Sequence, residues 1–178
     1  MNPLSSSQVI LGICDPKSPS NIGAVMRAAG CYAVNRVLYT GERFNRAAKF
    51  HTDTKKAAEH IPLTAVDSFS NYKTDDVKMV CVELAEGAQS LVDFIHPPQA
   101  IYIFGPEDGS IEQSLIDQAD AVVYIPTITC MNLAATVNVV LYDRLAKMHC
   151  DKTIDPLAQI KKSRDVNNRL VVKPPRIE

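Results

Sequence analysis

Tryptophan is absent from the chain, and aromatic residues make up only 6% of it. Long apolar runs are missing too: none approaches the roughly 18 residues that a membrane-spanning helix needs. The opening MNPLSSSQVI has no basic region followed by an apolar core, which argues against a secretory signal. The five cysteines, Cys14, Cys31, Cys81, Cys130 and Cys150, are scattered and form no CxxC pair. A disulfide framework or a zinc site is therefore not expected, and a reducing cytoplasm fits. Neither GxGxxG nor GxxxxGK[ST] occurs, so the usual dinucleotide fingerprint and the phosphate loop are both missing. Charge of one sign is also lacking, with a formal net of −1 beside 46% hydrophobic residues, which excludes a disordered chain. No internal repeat or low-complexity stretch is present. What remains is a 178-residue chain of ordinary composition, long enough for one soluble domain.

The near-zero net charge is a sum over unlike segments. Residues 27–56 hold seven basic residues (Arg27, Arg36, Arg43, Arg46, Lys49, Lys55 and Lys56) against Glu42 and Asp53, a balance of +5. Residues 75–120 hold ten carboxylates against Lys78 alone, a balance of −9, and residues 151–178 return to +3. A basic segment beside an acidic body can form a phosphate-facing surface on a nearly neutral protein. A solvated surface of mixed charge fits the same arithmetic.

Short apolar runs at Val9–Cys14, Arg36–Tyr39, Val77–Leu84, Ala100–Phe104 and Ala121–Ile125 read as strands. Their hydrophobicity is continuous instead of alternating, the pattern of a parallel sheet covered on both faces. Helical patterns at Asn21–Ala29, Ser90–Ile95 and Ile111–Gln118 alternate with the strands, giving an α/β fold. The longest helix is expected over Met131–Met148, with Leu133, Val137, Val140, Leu141, Leu145 and Met148 on one face. Ala135, Val139 and Tyr142 widen that arc, which suggests a helix shared with a second copy in a symmetric dimer. Beyond Cys150 the composition is polar and basic, ending in an extended Lys173–Pro174–Pro175–Arg176.

In open parallel sheets, ligands bind beyond the carboxyl ends of the strands. Two such ends carry distinctive loops, Gly105–Pro106–Glu107–Asp108–Gly109–Ser110 and Pro126–Thr127–Ile128–Thr129–Cys130. Glycine lets a ligand come close to the backbone, whose amides and carbonyls can then read it. A third element, Asn21–Ile22–Gly23–Ala24–Val25–Met26–Arg27, opens a helix, where Asn suits a capping role. Each of these has a plain structural explanation of its own: a cap, a turn carboxylate, a surface cation. Cys130 is expected to be a small buried residue instead of a nucleophile, since no histidine lies near it. His51, His60, His96 and His149 show no metal-ligand spacing, and no metal site is expected.

Taken in order, N-x-G-x-x-x-R at residues 21–27, F-G-x-E at residues 104–107, and I-P followed by M-N-L at residues 125–133 resemble the SpoU/TrmH branch of the SPOUT RNA methyltransferases. The likeness covers roughly residues 9–148. It implies a parallel-sheet domain over residues 1–150 with a C-terminal deep trefoil knot, followed by the tail at 151–178. It also implies a homodimer that binds S-adenosylmethionine in a bent form and methylates a ribose 2′-hydroxyl of RNA, with tRNA favoured over rRNA. By position, the donor pocket draws on Val82, Leu84, Gly105, Ile125, Cys130 and Met131. Arg27 is the implied catalytic arginine, Asn21 and Glu107 hold the motif loops, and Asn132 organises the third motif. The third-motif loop is shorter than the family's, Ser110 stands where its last glycine usually does, and Cys130 replaces a serine. A non-catalytic RNA-binding protein of the same fold and a base-directed methyltransferase are the alternatives.

Overall fold

The structure is a computed structural model and describes residues 8–48, 61–148 and 155–172. It divides into a unit ending at Met148 and a second unit from His149 onward. The first unit is built on seven parallel strands: β1 (Val9–Ile13), β2 (Arg36–Tyr39), β3 (Leu63–Ala65), β4 (Val77–Val82), β5 (Gln89–Ser90), β6 (Gln99–Phe104) and β7 (Ala121–Tyr124). Their order across the sheet is β3-β2-β1-β6-β4-β7-β5. All pairings are parallel, so every strand delivers its carboxyl end to the same edge.

The unbroken hydrophobicity of β1, β4 and β6 has its reason in the two faces. Leu11, Ile13, Val80, Tyr102 and Phe104 pack on one side with α1 (Pro19–Cys31) and α4 (Leu133–Met148). Ile10, Met79, Cys81, Ile101 and Ile103 pack on the other, with Phe69 and Ile111, against which Leu115 and Ile116 of the short α3 (Gln113–Ile116) lean. A strand covered on both faces has no side to leave polar. Gly12 of β1 is small for a packing reason: a Cβ there would fall 2.6 Å from Ile103 Cδ1 and 3.0 Å from Phe69 Cε1.

Helix α1 starts two residues earlier than its apolar pattern indicates, because Ser18 caps it, its Oγ accepting from the Asn21 N–H at 3.4 Å, and Pro19 fills the first position. A six-residue α2 (Arg43–Ala48) follows β2. The segment Ser90–Ile95 is not the helix that its apolar spacing suggests. Gln89 and Ser90 pair with Val123 and Tyr124 of β7, and Leu91–Asp93 forms a single 3-10 turn. The expected helix over Ile111–Gln118 contracts to α3, and that over Met131–Met148 begins at Leu133.

Helix α4 buries Leu133, Val137, Val140 and Leu141, each such side chain contributing about 1.5–3 kcal/mol. The expected face runs on to Leu145 and Met148, but Leu145 is 40% exposed and the last buried residue is Arg144 at 5%. Arg144 donates to Pro97 O at 2.6 Å, Pro98 O at 2.7 Å and Tyr102 Oη at 3.0 Å. Asp143 can only accept, so His96 carries its hydrogen on Nε2 and donates it to Asp143 at 2.8 Å; the neutral ring then accepts at Nδ1 from the Tyr102 hydroxyl at 2.6 Å. Lys147 closes the chain, 2.8 Å from Asp143 and bonded to the carbonyls of Leu91 and Phe94. Burial holds the His96 pKa below its ordinary value despite Asp143, and pushes the Tyr102 phenol up to about 12. Every buried donor in this network has an acceptor, which is the condition for a dry polar cluster to be tolerated.

In the second unit α5 (Pro156–Ser163) is capped by Asp155, whose carboxylate accepts from the Leu157 N–H at 3.0 Å. It places a helix inside the stretch that composition marks only as polar. Among the described residues no helix is long and apolar enough to cross a membrane.

Candidate active site

The carboxyl edge of the sheet carries a cavity of about 320 Å³, walled by four chain segments. Asn21 comes from the first turn of α1, and Val82, Glu83 and Leu84 come from the end of β4. The loop after β6 supplies Phe104 through Glu107 and Gly109. The passage from β7 into α4 supplies Tyr124, Ile125, Thr127, Cys130, Met131, Asn132, Leu133 and Thr136. The volume falls within the roughly 300–1,000 Å³ of small-molecule sites. Among the described residues the lining includes no Lys, Arg or His.

Glu107 joins the first two motifs. Its carboxylate accepts from the Lys17 N–H at 2.8 Å, the Ser18 N–H at 3.1 Å and the Asn21 side-chain amide at 3.1 Å. Burial by itself would raise its pKa, but the amides of Lys17, Asn21 and Ser18 outweigh that and hold it below the usual carboxylate range. Asn21 is thus not the cap of α1; Ser18 is, and Asn21 is free to tie the helix to the β6 loop.

Glu83 does the corresponding work between β4 and the β6 loop, accepting from the Leu84 N–H and the Ile111 N–H, each at 2.9 Å. A Cβ on Gly105 would sit 3.2 Å from Glu83 Oε2 and 3.4 Å from Ile111 N, so glycine keeps this corner open. Asn132 caps α4: its Oδ1 accepts from the Ala135 N–H at 2.8 Å. Residues 126–130 are exposed, and Cys130 with them, against the expectation that it is buried. The loop stands beyond the sheet edge, where none of the described residues covers it.

Nine residues singled out in the sequence meet around this cavity: Asn21, Val82, Leu84, Gly105, Glu107, Ile125, Cys130, Met131 and Asn132. Arg27 does not. It lies on the exposed side of α1, outside the lining, with no hydrogen bond or ion pair among the described residues. Glu83, between Val82 and Leu84, joins the site with no local signal in the sequence, because its partner Ile111 lies 28 residues further on.

The basic segment is not one surface. Arg43 is taken up by Asp15 (2.7 Å) and Asp108 (2.8 Å), and Lys17 also approaches Asp108 at 3.5 Å. Arg36 opens β2 and so sits at the sheet edge opposite the cavity. Arg46 on α2 is exposed; Lys49, Lys55 and Lys56 lie outside the described residues, as do His51, His60 and His149. His96 belongs to the buried network. Among the described residues no group of three or more His, Cys, Asp or Glu could hold a metal ion.

Fold and site together define a parallel α/β protein with a small-molecule cavity between loops at the carboxyl edge of its sheet. Residues 8–142 match the SpoU rRNA Methylase family, and the chain belongs to that family. It is 23% identical over 149 residues to a tRNA (cytidine(34)-2'-O)-methyltransferase of Beijerinckia indica, covering 78% of this chain and 91% of that protein. It is 22% identical over 157 residues to a 23S rRNA (guanosine-2'-O-)-methyltransferase of Nitrosomonas europaea, covering 84% of this chain and 60% of that one. A SpoU methyltransferase from Streptomyces viridochromogenes, solved with the cofactor AdoMet, superposes with a TM-score of 0.65 at 18% identity, over 82% of this chain and 60% of the other. The chain thus spans nearly the whole of the first relative but about 60% of the other two.

Proposed function

We propose that the protein is an S-adenosylmethionine-dependent RNA methyltransferase acting on a ribose 2′-hydroxyl. The observation that carries this reading is the convergence of three separated motif segments on one cavity at the carboxyl edge of the sheet. The residues fit the donor: Val82, Leu84, Ile125 and Met131 offer apolar walls, and the open corner at Gly105 exposes backbone to a ligand. When bound, S-adenosylmethionine supplies a methyl group on a sulfonium that is its own leaving group.

The chain's own residues orient and polarise. Asn21 and Glu107 lock α1 to the β6 loop, and Asn132 fixes the start of α4 beside the cavity. Arg27 acts on the ribose side. A guanidinium stays protonated at ordinary pH, so its work is to place the hydroxyl and its phosphate and to lower the energy of the developing oxyanion. To serve as the base it must first give up a proton of its own, which requires the substrate phosphate to be in place.

Arg27 is exposed and lies outside the cavity of its own chain, which supports completion of the site by Arg27 of the partner subunit in a homodimer. The outer side of α4, with Tyr142 62% exposed and Leu145 40%, supports that helix as the contact. The trefoil threading that the resemblance implies belongs to the same reading, as do residues 1–150 as the methyltransferase domain and 151–178 as a separate tail. Transfer RNA is favoured as substrate because the similarity runs over 91% of the tRNA-modifying relative and only 60% of the rRNA-modifying one.

Calorimetry with S-adenosylmethionine, and mass analysis of nuclease-digested RNA after incubation with the protein, test the proposal. A 2′-O-methylated nucleotide is the expected product. A methylated base would establish the base-directed alternative, and RNA binding without donor binding the non-catalytic one.

A further inference from the structure

The cavity's charge is one-sided. Two carboxylates, Glu83 and Glu107, line it, with no basic side chain of the same chain among the described residues that line it. The neighbouring Asp108 is different: it is paired with Arg43 and Lys17 and contributes little net field. Glu83 and Glu107 are held by neutral dipoles alone, namely backbone amides and the Asn21 carboxamide. Such bonds fix a carboxylate without cancelling its charge. The N-termini of α1 and α4 oppose it with about half a positive charge each, and the Arg43 charge reaches Glu107. Within the chain Glu83 is therefore the lining carboxylate left least compensated; the partner's Arg27 of the proposed dimer stands on the ribose side. The field of Glu83 is felt inside the sheet as well. Burial first, and then Glu83, pushes the Cys81 thiol up to about 12.

Resting on the methyltransferase reading, we propose that Glu83, together with Glu107, makes the cavity select for a cationic ligand, so that the site holds the sulfonium donor and releases the neutral thioether product. The two molecules differ by one methyl and one positive charge. Shape alone distinguishes them weakly, because a single methyl group is a small contact. A negative cavity distinguishes them by charge, with a preference of about tenfold for a charge pair several ångströms apart in a partly solvated site. Product release is thereby built into the same side chain that ties β4 to the β6 loop.

Three probes separate charge from shape: S-adenosylmethionine, S-adenosylhomocysteine, and sinefungin, in which a protonated amine stands near the sulfonium position. Dissociation constants are measured by calorimetry for the native protein and for Glu83→Gln, at low and at moderate salt. Both cationic ligands should bind the native protein about tenfold more tightly than the thioether. In Glu83→Gln the preference should shrink to about threefold or less, through weaker binding of the cations alone. Equal binding of all three by the native protein overturns the inference and leaves the methyltransferase reading intact. An equal loss for all three in Glu83→Gln also overturns it, since it would reduce Glu83 to a loop tie. Absence of binding by every probe, with and without RNA, would sink the methyltransferase reading itself.

Discussion

The two ends of α4 solve opposite problems. At the Lys147 end, His96, Tyr102, Asp143, Arg144 and Lys147 are joined by hydrogen bonds and one ion pair in a cluster where His96 and Arg144 are each 5% exposed. At the Leu133 end, Asn132 caps the helix with one bond and the neighbouring carboxylates are held only by neutral groups. The first arrangement is self-contained and offers nothing to a ligand. The second leaves charge and backbone unspoken for, beside an open cavity. Anchoring one end of a helix in a dry network lets the other stay exposed without the helix shifting.

The largest effect expected from breaking this contrast is at the anchor. Arg144→Ala leaves Tyr102, Pro97 O and Pro98 O without their donor, and should cost about 3–5 kcal/mol in urea denaturation. A loss below about 1 kcal/mol would mean the network does not hold the helix. Next in size is the exposed arginine. Arg27→Ala should lower methyl transfer about 100-fold or more while donor affinity stays within about twofold. Mixing it with Glu107→Gln, a variant also expected to be inactive, should restore part of the activity if the site is shared between subunits. No recovery from subunits shown to exchange would place Arg27 and Glu107 in the same chain's site.

At the cavity end the structural effects are smaller. Asn132→Ala should cost about 1 kcal/mol of stability, the ordinary price of a helix cap. A loss matching that of Arg144→Ala would erase the distinction between the two ends. The weakest expected signal is a pH slope. His96 has its pKa lowered from 6.5 in the folded protein, so the unfolded chain takes up its proton first. The stability it confers is present above pH 6.5 and is lost as pH falls through the lower folded value. The urea midpoint should decline over that interval in the native protein and less so in His96→Gln. Glu107 acts below its ordinary 4.5, where its stabilising contribution is lost as pH falls through the lowered folded value.

Much of this was legible in the residues. The strand runs were readable because burial on both faces leaves a continuous apolar signal, and the motif positions because each marks a strand end or a helix start. The segment Ser90–Ile95 misled: Leu91 and Phe94 have helical spacing, yet both are buried while their carbonyls accept from Lys147, 56 and 53 residues away in sequence. Leu145 misled in the same way. Periodicity assigns the buried position to the apolar residue, whereas Arg144 takes it because three acceptors 42 to 47 residues distant receive its guanidinium. Nor could a charge count show that Arg43 is consumed by Asp15 and Asp108 while Arg36 faces the opposite edge of the sheet.

The sequence by itself determined the α/β class, the parallel sheet, the motif residues and the chemistry they resemble, because hydrophobic runs and local spacing carry that information. Tertiary structure alone decided that nine of those residues share one cavity, that Arg27 stands outside it, and that Glu83 belongs to it. The physical reason is the strand order. Placing β6 between β1 and β4, and β7 beyond β4, brings the ends of distant segments within hydrogen-bond reach, and contacts made at that separation leave no periodic trace in the chain.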